Sequence, residues 1–95
     1  MSKFNILSSN QFKRDMKRFL RSPKDKTAIL ETVFILEDMG VEGIPQNMRP
    51  HKLIGNYKGM WECHIKPDLL LIWEQEDEPI NEISLVRVGS HSELF

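Results

Sequence analysis

The spacing of apolar residues changes near the middle of the chain, and this change constrains the fold more than any other feature. Residues 8–40 place apolar side chains three or four positions apart, whereas the residues after Pro50 form short apolar runs that alternate with polar positions. Helices followed by strands within 95 residues predict one α+β domain over residues 1–95. The helices are expected to cover one face of an antiparallel sheet.

Helix signals divide the first half of the chain into a short opening strand and an αα-hairpin. A strand is predicted over residues 3–7, and Ser8 and Gln11 have the spacing of a capping box at the start of the first helix. Ser22 and Pro23 end that helix and begin the second, for which Gly40 is the expected C-terminal cap. Apolar residues recur at helical intervals in both helices: Phe12, Met16, Phe19 and Leu20, then Ile29, Leu30, Val33, Leu36 and Met39.

Turn signals divide the second half into an antiparallel β-meander. Strands are predicted over residues 60–66, 69–75 and 80–88, with a short edge strand at 52–54, and turn-forming segments separate them. Gly89 and Ser90 are suited to end the last strand and to cap a short C-terminal helical turn. That turn would bring His91 and Phe95 to the same side of the chain.

Composition indicates a cytoplasmic globular protein. Cys63 is the single cysteine, so no internal disulfide can form, and no apolar run resembles a signal peptide or a membrane span. The net charge of −1 is unevenly distributed: residues 1–26 carry eight Lys or Arg against two acids, whereas residues 67–95 carry seven acids and one Arg. The basic part could meet a polyanion, but the acidic part argues against a nucleic-acid binder that depends on charge alone.

Strand alternation predicts which side chains share a face of the sheet. In the strand over residues 60–66, Cys63 points to one face and His64 to the other, so the two cannot ligate one metal ion, and no metal site is expected. In the last strand, Arg87 alternates with Val86 and Val88. If the two valines cover the helices, His64 and Arg87 share the open face.

Three segments of the second half resemble one protein family. They are His51-Lys-Leu, the run ECHIKPDLLLI over residues 62–72, and the run LVRVGSHSELF over residues 85–95. In this order they resemble the YafQ branch of the RelE-like bacterial toxins, and the resemblance extends from the opening strand to the last residue. Such toxins are small α+β ribonucleases of type II toxin–antitoxin modules. They cut messenger RNA in the ribosomal A site and are held inactive by a cognate antitoxin.

The resemblance implies roles for six residues. Arg87 matches an arginine that steadies the scissile phosphate, and Phe95 matches a terminal aromatic residue that places a nucleotide. Acid/base and substrate-positioning groups are expected at His51, His64, Asp68 and His91. The implied partners are the ribosome with its mRNA and a cognate antitoxin, with operator DNA contacted only through that antitoxin. No cofactor and no membrane contact are implied.

One position departs from the family pattern. Leu69 follows Asp68, where YafQ relatives often carry an aromatic residue, and Trp73 is the candidate replacement. The departure bears on base preference, which the sequence leaves undefined, more than on cleavage.

These residue types suit metal-independent cleavage of RNA. The 2′-hydroxyl can attack the adjacent phosphate if a base lies near it and an acid lies near the leaving 5′-oxygen, and imidazole titrates close to neutral pH. A guanidinium can meet the growing charge on the phosphate with two parallel hydrogen bonds. A terminal aromatic ring can stack on a base. Which histidine is the base and which is the acid stays open.

Taken singly, the same residues have ordinary structural explanations. Asp68 alone suggests a turn residue, and Phe95 alone suggests a plug of the core. Arg87 alone suggests an ion-pair partner of Glu62 or Glu93. Only the combination favours an endoribonuclease. The alternatives are a non-catalytic RNA- or antitoxin-binding module of the same fold and, less favoured, a ribosome-independent ribonuclease.

Overall fold

A five-stranded sheet forms the centre of the molecule in a computed structural model that describes residues 3–95. The strands are β1 (Asn5–Ser8), β2 (His51–Lys52), β3 (Trp61–Lys66), β4 (Leu69–Glu76) and β5 (Glu82–Gly89). Their order across the sheet is β1-β5-β4-β3-β2, with β1 parallel to β5 and the other neighbours antiparallel. The predicted meander is confirmed, and its last strand, β5, pairs with the opening strand, β1.

Within residues 3–95, three α-helices pack with the sheet: α1 (Asn10–Lys17), α2 (Pro23–Met39) and α3 (His91–Leu94). The cap of α1 is Ser9 and not Ser8, because Ser8 belongs to β1 while the Ser9 side chain accepts a hydrogen bond from the Phe12 amide. The start of α2 at Pro23 is confirmed, and Gly40 caps its end with a positive φ of 68°. Within residues 3–95, none of the helices is both long enough and apolar enough to cross a bilayer.

The first helix is shorter than its apolar spacing predicted. It ends at Lys17, and the chain turns over residues 18–21, where the Arg18 and Phe19 amides bond to carbonyls three residues back. Because of this turn, Phe19 still reaches the core but Leu20 points outward and is 68% exposed. The assignment of Leu20 to the apolar face was therefore wrong.

The main core lies between the two long helices and one face of the sheet. Helices, strands and connecting segments all contribute buried apolar residues to it: Phe4, Phe12, Phe19, Ile29, Leu36, Ile44, Cys63, Leu69, Leu71, Trp73, Ile83, Leu85 and Val88. Helices and sheet thus bury a common apolar interface, which is the main source of stability in a domain of this size.

A smaller apolar cluster lies on the opposite face of the sheet. Leu70 and Ile72 of β4 are fully buried there against Leu94 of α3. Leu53, Tyr57, Met60 and Val86 pack around them. This smaller cluster anchors the last turn of the chain over the sheet, and the polar residues described next surround it.

Candidate active site

An irregularity in β5 decides which side chains face the candidate site. Between Ile72 and Trp73 the pairing of β4 with β5 shifts by one residue, so Val86 is an extra residue in β5. Val86 consequently packs in the smaller cluster while Val88 packs in the main core. The prediction that these two valines share a face was wrong for this reason.

The extra residue in β5 does not change the predicted placement of His64 and Arg87 on one face. His64 lies opposite Leu70 and Arg87 lies opposite Ile72, and both partners belong to the smaller cluster. Directly paired residues on neighbouring antiparallel strands point to the same face. His64 and Arg87 therefore share the sheet face that carries the smaller cluster, as predicted.

Glu62 joins two of the predicted histidines. His51 lies opposite Glu62 across β2 and β3, and its Nε2 is 3.2 Å from Glu62 Oε1. Nε2 of His64 is 3.7 Å from the same oxygen. The Glu62 side chain is buried, and its Oε2 has no hydrogen-bond partner among the described residues. A buried, half-satisfied carboxylate between two imidazoles is costly for stability, which is typical of a group kept for chemistry.

The position of His51 is fixed from both sides of its ring. Nδ1 lies 2.7 Å from the Arg49 carbonyl, which can only accept, so Nδ1 is the donor of that hydrogen bond. Nε2 faces Glu62. The ring is therefore held between a backbone carbonyl on one side and a buried carboxylate on the other.

The third histidine is held by Asp68 at the start of α3. Ser90 caps this helix in a capping box with Glu93, and Asp68 Oδ1 accepts hydrogen bonds from both the amide and Nδ1 of His91, each at 2.9 Å. The hydrogen bonds from the His91 amide and then from its ring hold the pKa of Asp68 below its usual range. With Nδ1 committed to Asp68, Nε2 of His91 is the nitrogen that remains for a substrate.

A row of rings connects these groups to the end of the chain. The ring centroids of His51 and His64 are 6.1 Å apart, those of His64 and His91 are 5.7 Å apart, and those of His91 and Phe95 are 6.3 Å apart. Phe95 is 61% exposed and meets the Tyr57 ring edge-on at 5.5 Å. The alternative that Phe95 plugs the core is therefore wrong.

Arg87 is held by a carboxylate that the sequence analysis did not select. Its Nε donates to Asp15 Oδ2 at 2.8 Å and its Nη2 donates to Asp15 Oδ1 at 3.1 Å. The suggested ion pair with Glu62 or Glu93 is wrong, because α1 presents Asp15 directly to β5. The Tyr57 hydroxyl, which helps to raise the pKa of Arg87 after the larger effect of Asp15, donates a hydrogen bond to the Leu94 carbonyl at 3.2 Å.

A cleft of about 700 Å³ opens beside the histidines. Its walls include His64, His91, Arg49 and Lys66. Arg49 adopts a left-handed conformation with φ of 53° at the end of a 3₁₀ turn. A groove with the Arg49 guanidinium, two imidazoles and the Lys66 ammonium, which is paired with Asp25, suits a negatively charged strand. Neither Arg49 nor Lys66 was selected from the sequence, because isolated basic residues next to turns are usually exposed surface residues.

Trp73 does not replace the aromatic residue that is missing at position 69. Trp73 is 0% exposed, and its ring stacks on Trp61 within the main core. Leu69 is also buried.

Burial raises the pKa of the Cys63 thiol to about 12, so Cys63 is an inert core residue. Within residues 3–95, no group of three or more His, Cys, Asp or Glu is arranged to hold a metal ion.

Comparison with known proteins identifies the family. A model of the bacterial toxins of type II toxin–antitoxin systems named YafQ matches residues 4–95, which is nearly the whole chain. The chain belongs to the YafQ family of type II toxins. The family resemblance inferred from the three segments is thereby confirmed.

Individual YafQ proteins support the same assignment. The mRNA interferase toxin YafQ of Escherichia coli K12 is 30% identical over 93 residues, which are 96% of this chain and 95% of that protein. A Haemophilus influenzae protein that carries the name YafQ is 38% identical over 52 residues, which span 53% of this chain and half of that protein. The E. coli DinJ–YafQ toxin–antitoxin complex contains a chain that is 27% identical, with a TM-score of 0.83 over 98% of both chains. YafQ proteins thus share this fold from end to end.

Proposed function

We propose that this YafQ-family toxin is a ribosome-dependent endoribonuclease that cleaves mRNA in the A site and thereby inhibits translation in the cytoplasm. The observation that carries the proposal is the convergence of His51, His64 and His91 on one sheet face, beside a cleft lined by basic side chains. The E. coli relative named above is itself an mRNA interferase.

The cleavage is an attack of the 2′-hydroxyl oxygen on the adjacent phosphorus. The bond to the 5′-oxygen breaks, one proton leaves the hydroxyl, and one proton is delivered to the 5′-oxygen. His91, oriented by Asp68, and the His51–Glu62–His64 group are the proton-transferring groups. Their ring spacings allow two of them to flank one phosphodiester.

Arg87 and Phe95 bind the substrate on either side of the reacting bond. Nη1 of Arg87 is not used by Asp15, so its hydrogens can meet the charge that grows on the phosphate. The exposed ring of Phe95 stacks on a nucleotide base, a contact that tolerates any base. Tyr57 supports the position of Phe95, since its ring meets the Phe95 ring edge-on and its hydroxyl bonds to the Leu94 carbonyl.

A cognate antitoxin is the second partner of this chain. The E. coli relative forms a complex with the antitoxin DinJ, and its fold matches this one over nearly all of both chains. We expect this chain to form a stable complex with an antitoxin of its own, and to reach operator DNA only through it.

Induction of the chain alone in a bacterium tests the proposal against the non-catalytic alternative. We expect growth arrest and mRNA with new 5′ ends inside codons, and neither effect with His91→Ala at equal protein level. Growth arrest that persists in His91→Ala, or a stable antitoxin complex without any cleavage, would instead support a binding module. Cleavage of purified mRNA without ribosomes would indicate a ribosome-independent ribonuclease.

A further inference from the structure

Asp15 lies in a helix that also carries the exposed basic residues Lys13, Arg14 and Lys17, yet it is 0% exposed. A carboxylate is rarely buried completely unless its oxygen atoms are satisfied. Here both oxygens are in use. Oδ2 accepts from Arg87 Nε at 2.8 Å and from the Val88 amide at 3.1 Å, and Oδ1 accepts from Arg87 Nη2 at 3.1 Å and from Gln11 Nε2 at 3.1 Å.

From this geometry we infer that Asp15 is a positioning residue for the cleavage reaction, which acts by fixing the guanidinium plane of Arg87. The inference rests on the proposed function, because it assumes that Arg87 meets the scissile phosphate. Two parallel hydrogen bonds hold a guanidinium in one plane and one rotation, which a single contact cannot do. The side-on contact uses Nε and one edge of Nη2, and it leaves Nη1 to the substrate.

The elements around the pair make this arrangement rigid. The Ser9 hydroxyl donates to the Val86 carbonyl at 2.8 Å, and the Ser9 amide donates to the Leu85 carbonyl at 2.9 Å. These bonds fix the start of α1 to β5 at the extra residue, six residues before Asp15. Arg18 continues the network, since its Nη1 is 3.6 Å from Asp15 Oδ1 and 3.2 Å from Glu93 Oε2.

Glu93 belongs to the capping box of α3, the helix that begins with His91. Asp15 of α1 thus supports Arg87 directly. Through Arg18, the end of the same helix also supports α3, which carries His91. Misplacement of a reacting or charge-stabilising group by about 1 Å can slow an enzyme by roughly 100-fold. Asp15 is therefore expected to matter for the rate of cleavage although it does not touch the RNA.

The test compares single-turnover rate constants for mRNA cleavage on programmed ribosomes at saturating toxin, expressed per folded molecule. Asp15→Asn should cleave about 10- to 100-fold more slowly than the wild type. Asp38→Asn makes the same chemical change at an exposed position of α2 and should cleave at the wild-type rate. An Asp15→Asn rate equal to that of Asp38→Asn would overturn the inference.

A double variant distinguishes positioning from a general structural role. Arg87→Gln removes the guanidinium, and we expect Asp15→Asn to cause no further loss in that background. A second loss of 10-fold or more in the double variant would show that Asp15 acts through something other than Arg87, and would overturn the inference while leaving the proposed function intact. If Arg87→Gln itself cleaved at the wild-type rate, the role of Arg87 in the proposed function would fail, and this inference with it.

A measurement on the wild-type protein covers the case in which Asp15→Asn does not fold. The Nε–H group of Arg87, identified by its disappearance in Arg87→Gln, should give a separate nuclear magnetic resonance signal that exchanges slowly with water. A signal that averages with those of the exposed arginines would contradict a fixed guanidinium.

Discussion

His91 combines three features that single it out among the site residues. Its side chain is exposed, its Nδ1 and its amide are both bound to Asp68, and it begins a helix that is tied down by a complete capping box. The ring is held in one orientation without being buried. Such a residue can be removed with little cost to the fold.

We predict that His91→Ala lowers the rate of mRNA cleavage by about 10²- to 10⁴-fold, the range typical of a positioned acid or base. The thermal midpoint should stay close to that of the wild type, because an exposed side chain contributes little to stability. Ser92→Ala, at the next position of the same helix, is the control for general disturbance of α3. Undiminished cleavage by a folded His91→Ala variant would remove His91 from the mechanism.

Phe95 gives a second test on a single site residue. Loss of a stacked ring costs roughly 1–3 kcal/mol in single-strand binding, so Phe95→Ala should weaken cleavage by about 5- to 150-fold. The fold loses the edge-on contact with Tyr57, which amounts to about 0.5–1.5 kcal/mol, and the more distant contact with the His91 ring. Urea unfolding and cleavage assays on the same preparation measure both effects. A loss of about 3–5 kcal/mol with normal cleavage would mean that the ring serves the core.

At the scale of elements, the contact of α1 with β5 depends on an ionised carboxylate. Burial alone would raise the pKa of Asp15, but the hydrogen bonds from Arg87 and the Val88 amide outweigh it, and the pKa is lowered from 3.8. A carboxyl group whose pKa is lower in the folded than in the unfolded chain stabilises the folded state at pH values above its unfolded-state pKa. This stabilisation is lost as the pH falls through the folded-state pKa. The contact is therefore strong at neutral pH and weakens in acid.

We predict that Asp15→Asn destabilises the protein at pH 7 and that its deficit relative to the wild type becomes smaller below about pH 4. Urea unfolding of both proteins at pH 7, 5 and 3 measures the deficit, with Asp38→Asn as the exposed control. A deficit that is the same at all three pH values would show that the charge of Asp15 contributes nothing to the contact.

The exposed face of α1 gives a separate prediction. Lys13, Arg14 and Lys17 point to solvent, whereas Arg18 contacts Asp15 and Glu93 and should be left in place. Changing the first three to Gln together should weaken binding to ribosomes and reduce its dependence on salt, since each phosphate contact releases counterions. Stability should hardly change. Ribosome binding that is unaffected at physiological salt would show that this face is only solvated surface.

Sequence patterns predicted the elements better than their ends. The start of α2 at Pro23 was readable because proline has strong local preferences. Its predicted apolar stripe was only partly right, since Leu30 and Met39 are 43% and 51% exposed. The end of α1 was not, because Leu20 continued the apolar spacing while a tight turn had already redirected the chain. The extra residue at Val86 was equally hidden, since a bulge leaves no reliable mark in an alternating pattern.

At the scale of the whole molecule, the site forms from segments that are distant in the chain. Its histidines come from β2, β3 and α3, and the support for Arg87 comes from α1, 72 residues earlier. The family resemblance indicated the residues that face the substrate. It did not indicate Asp15, Glu62 or Tyr57 as their supports, because contacts between distant segments depend on tertiary packing rather than on local spacing.

The central claim is that this chain cuts mRNA on the ribosome with its own acid and base groups. The most direct measurement combines purified protein, ribosomes programmed with a defined mRNA and end-labelled detection of cleavage. We predict a cut within the A-site codon that requires the ribosome, and a rate lower by at least 100-fold in His91→Ala. An intact mRNA with a folded, ribosome-bound wild-type protein, or an equal rate of cutting in His91→Ala, would contradict it.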